Sequence, residues 1–78
     1  IFFKTNLSGA DLAYSNLVYA QLKNADLSGA LLKGANLAGV DLSNQDLSGI
    51  NFRSANLFGS NLEGADLTGA DLRKANLI

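Results

Sequence analysis

The sequence contains no cysteine, histidine, proline, methionine or tryptophan among its 78 residues. Without cysteine and histidine, the chain cannot form a disulfide framework, a thiolate or imidazole metal site, or a Ser/His/Asp or Cys/His nucleophile. No apolar run is long enough to span a bilayer, and no signal-peptide pattern opens the chain. No membrane association is therefore predicted, and the cytoplasm is only the default expectation for a compartment that the sequence leaves unknown.

The net charge is also close to zero, at −1 from six Lys/Arg and seven Asp/Glu. This balance favours neither a polybasic nucleic-acid binder nor a strongly acidic protein. The length predicts one domain, at a size where a compact globule is only marginally stable. The chain begins with Ile1, so we expect residues 1–78 to form a single domain that is part of, or trimmed from, a longer protein.

A five-residue repeat runs through the whole chain. Every fifth residue from Phe2 to Leu77 is Leu or Phe, at all sixteen positions. The residue two places earlier is Ala in nine of fifteen units, the residue one place earlier is Asn or Asp in thirteen of fifteen, and all eight glycines lie two places later. An α-helix would spiral these leucines around its axis, and a flat strand would send alternate ones to opposite faces. A short extended segment followed by a corner keeps every Leu and Ala inside.

The corner position predicts the backbone conformation. Gly and Asn accept a positive φ readily, so type II turns are expected at these ten corners: Gly9, Asn24, Gly29, Gly34, Gly39, Asn44, Gly49, Gly59, Gly64 and Gly69. Turns without a positive φ are expected at the other corners: Lys4, Tyr14, Tyr19, Ser54 and Lys74.

A longer period of twenty residues sets the number of sides. It aligns Asn16, Asn36, Asn56 and Asn76 in one column, whereas a period of fifteen would mix Asn16 with Leu31. Four sides per coil are therefore favoured, with about four coils of four pentapeptides. The aligned Asn side chains are expected to hydrogen-bond along the stack.

Units such as Ala-Asp-Leu-Ser-Gly at 25–29 and Ala-Asn-Leu-Ala-Gly at 35–39 resemble the pentapeptide-repeat family over the entire chain. The resemblance implies an all-β fold, a right-handed quadrilateral β-helix. The family is abundant in cyanobacteria, and its best-understood members mimic DNA and bind type II topoisomerases. No catalytic residue, cofactor or metal is predicted for this chain.

Four of the residues that depart from the repeat affect its packing or its surface. Gln45 occupies an inward Ala position, where an unsatisfied amide would cost about 1–3 kcal/mol, so we expect a backbone partner or a local bulge. Val40 and Ile50 also replace Ala on either side of Gln45, and they predict a wider or distorted third coil. Leu31 takes an outward Asn/Asp position and should be exposed.

The outward columns are the candidate binding surfaces, and three are distinctive. Asp26, Asp46 and Asp66 form an acidic column on a face expected to be flat and without a pocket, where neighbouring carboxylates should raise one another's pKa. The next face carries the basic residues Lys33, Arg53, Arg73 and Lys74. The third carries the apolar residues Val18, Ala38, Phe58 and Ile78, with Tyr19 nearby.

These columns favour a non-catalytic scaffold that binds an unidentified protein partner, with Tyr19 and Phe58 as anchors of the apolar column. A DNA mimic that binds a type II topoisomerase is the alternative. The low net charge argues against the mimic, and four cations are few for direct nucleic-acid binding. Unpaired edges at the ends of the stack also predict end-to-end self-association or a flanking domain.

Overall fold

A computed structural model describes residues 5–78, and these residues form a coil of short extended segments joined by turns. None of them lies in a helix, so this part of the chain has no helical segment that could cross a membrane. Each pentapeptide contributes one side. Its outward Asn or Asp is the bridging residue on most sides, and a two-residue turn follows the central Leu.

Every corner within residues 5–78 is closed by the same local hydrogen bond. The amide after the corner donates to the carbonyl of the central Leu, as from Ala30 to Leu27 at 2.9 Å. The corner residue has a positive φ, as predicted for the glycines and for Asn24 and Asn44. Gly suits this conformation because it has no Cβ to approach the following carbonyl.

The prediction of turns without a positive φ is wrong at four corners. Tyr14, Tyr19, Ser54 and Lys74 have φ values of 61°, 57°, 62° and 61°, close to those of the glycines. The reason is geometric, because both adjoining sides must stay in register with the neighbouring coil, and this fixes the corner whatever residue occupies it. The left-handed conformation costs a non-glycine residue about 1–2 kcal/mol. The fifth such corner, Lys4, lies outside the described residues.

Parallel bridges join residues that lie twenty apart, which confirms four sides per coil. We name the faces by their outward residues. The aspartate face comprises 5–9, 25–29, 45–49 and 65–69, and the basic face comprises 10–14, 30–34, 50–54 and 70–74. The apolar face comprises 15–19, 35–39, 55–59 and 75–78, and the fourth face comprises 20–24, 40–44 and 60–64.

The interior is a stack of Leu and Ala side chains with Phe52 among them. Leu32, Leu37, Leu42, Leu47 and Phe52 are fully buried. Each buried Leu contributes roughly 1.5–3 kcal/mol, and coil-to-coil stacking makes these contributions cooperative. The core therefore depends on the five-residue period, whereas the identity of each face depends on the twenty-residue period.

The coil-to-coil ladder is interrupted at one junction. On the apolar face, the bridges Asn16–Asn36, Asn36–Asn56 and Asn56–Asn76 are continuous. On the other three faces, within residues 5–78, no bridge joins the coil that starts at Ala20 to the coil that starts at Val40. The bridges resume between that second coil and the next, for example from Asp46 to Asp66. We call the interrupted junction the seam.

The seam coincides with three consecutive inward positions that hold a residue larger than Ala. Val40, Gln45 and Ile50 begin the three sides that lack bridges to the preceding coil, whereas Ala55 begins the side that keeps its bridge. The missing bridges on these three sides confirm the distortion predicted for this coil. Gln45 is only 8% exposed, and its Nε2 donates to the carbonyl of Leu22 across the seam at 2.8 Å. The expected backbone partner of Gln45 is thereby confirmed.

Candidate interaction faces

The outward Asn and Asp side chains brace the turns that follow them. The Oδ1 atom accepts a hydrogen bond from the amide two residues later, as from Phe58 to Asn56 at 3.0 Å and from Arg53 to Asn51 at 2.8 Å. This local bond explains why Asn or Asp recurs at the position, because their short carbonyl-bearing side chains reach the amide two residues later. The predicted Asn ladder along the stack is seen at one place, where Asn76 Nδ2 donates to Asn56 Oδ1 at 3.3 Å.

Two acids of the aspartate face, Asp26 and Asp66, do not show the pKa shift expected of mutually repelling carboxylates. The pKa of Asp26 lies below its ordinary value, chiefly because the backbone amide of Ser28 donates to the carboxylate and then because its hydroxyl does. The pKa of Asp66 is lowered in the same way by the hydroxyl and then the amide of Thr68. The prediction of raised pKa values is wrong at these two residues, because local hydrogen bonds stabilise the charged form.

The expectation of a face without a pocket is also wrong at one place. A cavity of about 250 Å³ opens where the seam crosses from the fourth face to the aspartate face. It lies between residues 23–28 of one coil and 43–46 of the next, so Asp26 and Asp46 flank it while Asp66 does not. A second cavity of about 280 Å³ lies further along the same seam and is lined by Tyr19, Lys23 and Asp41 among others. Within residues 5–78, no group of three or more acidic side chains could hold a metal ion.

The basic face is partly neutralised by its own carboxylate. Arg73 forms a two-point ion pair with Asp71, with Nε–Oδ1 and Nη2–Oδ2 distances of 3.0 and 2.7 Å. This pairing lowers the pKa of Asp71 to about 2. Lys33 and Lys74 are exposed and Arg53 is half-buried, while Leu31 is 51% exposed beside Lys33, as predicted. The column is therefore mixed in character.

The apolar face carries exposed hydrophobic side chains in one outward column. Phe58 is 56% exposed and Ile78 is 89% exposed, and Val18 and Ala38 lie in the same column. Tyr19 is 76% exposed at the corner that leads into the fourth face. The structure thus places all the residues predicted for this column on one face, whose bridges are unbroken from Asn16 to Asn76.

Tyr14 is a surface residue whose part in the apolar face the sequence reasoning missed. It lies at the opposite corner of the apolar face from Tyr19 and is also largely exposed. Its ring lies over Gly34 in the next coil, where an added Cβ would collide with the ring. Tyr19 lies over Gly39 in the same way. A Tyr followed by Gly twenty residues later was the available signal, and it extends the apolar face to both corners.

Comparisons with known proteins agree with this geometry. The family model described as "Pentapeptide repeats" matches residues 5–44 and 35–73, with eight copies. The solved pentapeptide repeat protein alr5209 from Nostoc PCC 7120 is 45% identical, with a TM-score of 0.78 over 83% of this chain and 54% of that protein. HetL, a pentapeptide repeat protein involved in heterocyst differentiation regulation in the cyanobacterium Nostoc sp. strain PCC 7120, is 36% identical. Its TM-score is 0.59, over 95% of this chain and 39% of HetL.

A search of curated proteins found no significant match. The chain spans about half the length of alr5209 and less of HetL. The fold defines a right-handed quadrilateral β-helix, a solenoid with four outward columns. The chain belongs to the pentapeptide repeat family.

Proposed function

We propose that this domain is a non-catalytic scaffold that binds a protein partner through its apolar face. The observation that carries the proposal is the apolar column along the face with the continuous ladder, in which Val18, Phe58 and Ile78 are exposed and Ala38 is half-buried. Contiguous exposed apolar surface marks contact sites, and large aromatic residues supply most of the binding free energy at such sites. Phe58 lies within the column, and Tyr19 borders it.

The chemistry of the face specifies the kind of partner. Between the two tyrosine corners, the outward side chains are apolar residues and neutral Asn amides, with no charged residue in segments 15–19, 35–39, 55–59 and 75–78. A partner that fits would present a weakly charged, apolar strip. The Asn Oδ1 atoms are already engaged by local amides, so the binding free energy would come mainly from burial of Phe58 and its neighbours.

A photo-crosslinking side chain placed at Phe58 tests the proposal in the cells that produce the protein. The matched control places the same side chain at Thr68, which has the same position in its pentapeptide but lies on the aspartate face. We expect a discrete crosslinked protein from position 58 and none from position 68, and the additional substitution Val18→Asp should abolish the adduct. Equal adducts from both positions, or none from position 58, would overturn the proposal.

The alternative of a DNA mimic for a type II topoisomerase has weaker support. The acidic column of Asp26, Asp46 and Asp66 is crossed by the seam, and Lys33 and Arg53 lie on the adjoining face. A mimic needs an extended negative surface, so these features oppose the role. A DNA gyrase supercoiling assay with the folded protein decides the matter, because inhibition at near-stoichiometric protein would favour the mimic over the scaffold.

A further inference from the structure

The seam leaves main-chain groups unpaired in the middle of the stack. Leu7 N–H donates to Asp26 O at 2.8 Å, and Leu47 N–H donates to Asp66 O at 2.9 Å. The corresponding bond from Leu27 to Asp46 is absent from the described part of the chain, although all six residues occupy the same two columns. The next position along this face repeats the pattern, with Gly9 and Gly49 bonded to the following coil and Gly29 not bonded to it.

The seam is closed on one side only. Across the apolar face the bonds persist, from Leu37 N–H to Asn56 O at 2.7 Å and from Gly39 N–H to Phe58 O at 2.9 Å. The adjoining corner is also closed, by Gly34 N–H to Arg53 O at 2.9 Å. These two coils are bonded along one face and separated along the opposite face. They must therefore tilt apart about the bonded face, as two plates do about a hinge. The apolar face is the hinge line, and the aspartate face lies opposite it.

Gln45 occupies the position where a wedge would act most strongly. It starts the aspartate side of its coil, directly across the square from the hinge line. Its side chain is buried and turned toward the preceding coil, because Nε2 reaches Leu22 O there. Gln45 also lines the cavity of about 250 Å³ that marks the opening. One side-chain hydrogen bond thus replaces the backbone hydrogen bonds between the two coils on this face. The space that closely stacked coils would have filled remains as the cavity.

We propose that Gln45 holds the seam ajar, and that this wedge divides the solenoid into two blocks and bends the apolar face into a concave surface. The two blocks are the coils before and after the seam, and each keeps its own ladder. The curvature of a solenoid shapes its binding surface, so the wedge would shape the apolar face. The wedge itself does not depend on whether that face binds a protein.

Amide hydrogen exchange followed by NMR tests the wedge on the unmodified protein. Leu27 and Gly29 should exchange at least ~10-fold faster than Leu47 and Gly49, which occupy the same columns with bonds to the next coil. Equal protection of the two pairs would show a closed seam and overturn the proposal.

Three variants then distinguish the effect of the Gln45 side-chain volume on the seam from the effect of its hydrogen bond. Gln45→Ala restores the usual residue and should slow exchange at Leu27 and Asp46 by ~10-fold or more as the coils close. Gln45→Leu keeps most of the volume without the amide and should leave both amides fast. The reciprocal change Ala65→Gln should open the next junction and speed exchange at Leu47 and Gly49.

Each result with these variants decides for or against the wedge. If Gln45→Ala leaves Leu27 and Asp46 unprotected in a folded protein, Gln45 is not the wedge. If Gln45→Leu closes the seam, its hydrogen bond rather than its volume is responsible, and the wedge is again overturned. Should Gln45→Ala fail to fold, exchange in the Ala65→Gln protein remains decisive, because unchanged protection of Leu47 would show that a glutamine in this column does not part the coils.

Discussion

The aromatic ring of Tyr19 lies directly over the corner residue Gly39, which occupies the same place one coil further along the chain. A Cβ at Gly39 would collide with the ring. Glycine is therefore favoured at this corner for two reasons. It accepts a φ of 72°, and its lack of a Cβ leaves space for the tyrosine ring. This pairing fixes an exposed ring at the edge of the apolar face without burying it.

Gly39→Ala should consequently be more costly than an equivalent change at an open corner. The control is Gly49→Ala, because Gly49 has a φ of 71° and nothing near the added Cβ. Both variants should lose about 1–2 kcal/mol from the left-handed conformation, and Gly39→Ala should lose about 1 kcal/mol more through displacement of the ring. Urea denaturation measures both. In the Tyr19→Ala background, the additional destabilisation of Gly39→Ala over Gly49→Ala should vanish. If it persists there, the contact between Tyr19 and Gly39 is not its cause.

Ser54→Gly should stabilise the protein. Ser54 has a φ of 62°, and relief of the left-handed strain should exceed the entropic cost of glycine by roughly 0.5–1 kcal/mol. Ala38→Gly is the control at a residue without a positive φ, and there the entropic cost alone should destabilise the fold by about 0.5–1 kcal/mol. Thermal unfolding of the two variants should shift in opposite directions, and a lower midpoint for Ser54→Gly would refute the strain.

Asp71 should titrate at an unusually low pH. The carboxylate has a pKa of about 2, first because Arg73 donates side-chain hydrogen bonds and then because the Arg73 amide does. Because the folded pKa lies below the unfolded one, the stabilising contribution is present above pH ~3.9 and is lost as the pH falls through about 2. Carboxyl NMR titration of Arg73→Gln should give a higher pKa for Asp71. Arg53→Gln, which removes only a more distant charge, should raise it less, and equal effects would contradict the assignment.

Asn56→Ala should cost more than Asn51→Ala. Both changes remove the acceptor for the amide two residues later, at about 0.5–1.5 kcal/mol. Asn56 also accepts from Asn76 in the next coil, so its loss should add up to ~1 kcal/mol. Asn56→Asp retains the acceptor and should recover most of the difference. Equal unfolding free energies for the two alanine variants would show that the inter-coil bond contributes nothing.

The repeat predicts the fold because two independent periods are visible in the sequence. Leu42 and Ala35 are inside because the period of five admits no other face, and Asn16 bridges Asn36 because the period of twenty aligns them. The distortion near Gln45 was also predictable, since a long polar side chain in an Ala position demands space and a partner.

The remaining features depend on contacts that no single repeat unit specifies. The positive φ of Tyr14 follows from the register of whole coils, which overrides the preference of the residue itself. The lowered pKa of Asp26 depends on how Ser28 orients within its turn. The side on which the seam opens is seen only in the stacked coils, where the sides that begin with Val40, Gln45 and Ile50 lack bridges to the preceding coil and the side that begins with Ala55 keeps its bridge. The sequence therefore predicts which coil is distorted but not the face on which the seam opens.

The core repeats every five residues, whereas the surface pattern repeats every twenty. The face on which a residue lies therefore depends on how many pentapeptides precede it. An insertion of one pentapeptide would leave every Leu inside and every corner a corner. It would nevertheless advance all later residues by a quarter-turn, so that Phe58 would move onto the fourth face. Evolution can therefore lengthen such a rod cheaply, while any patterned surface survives only changes that add or remove whole coils.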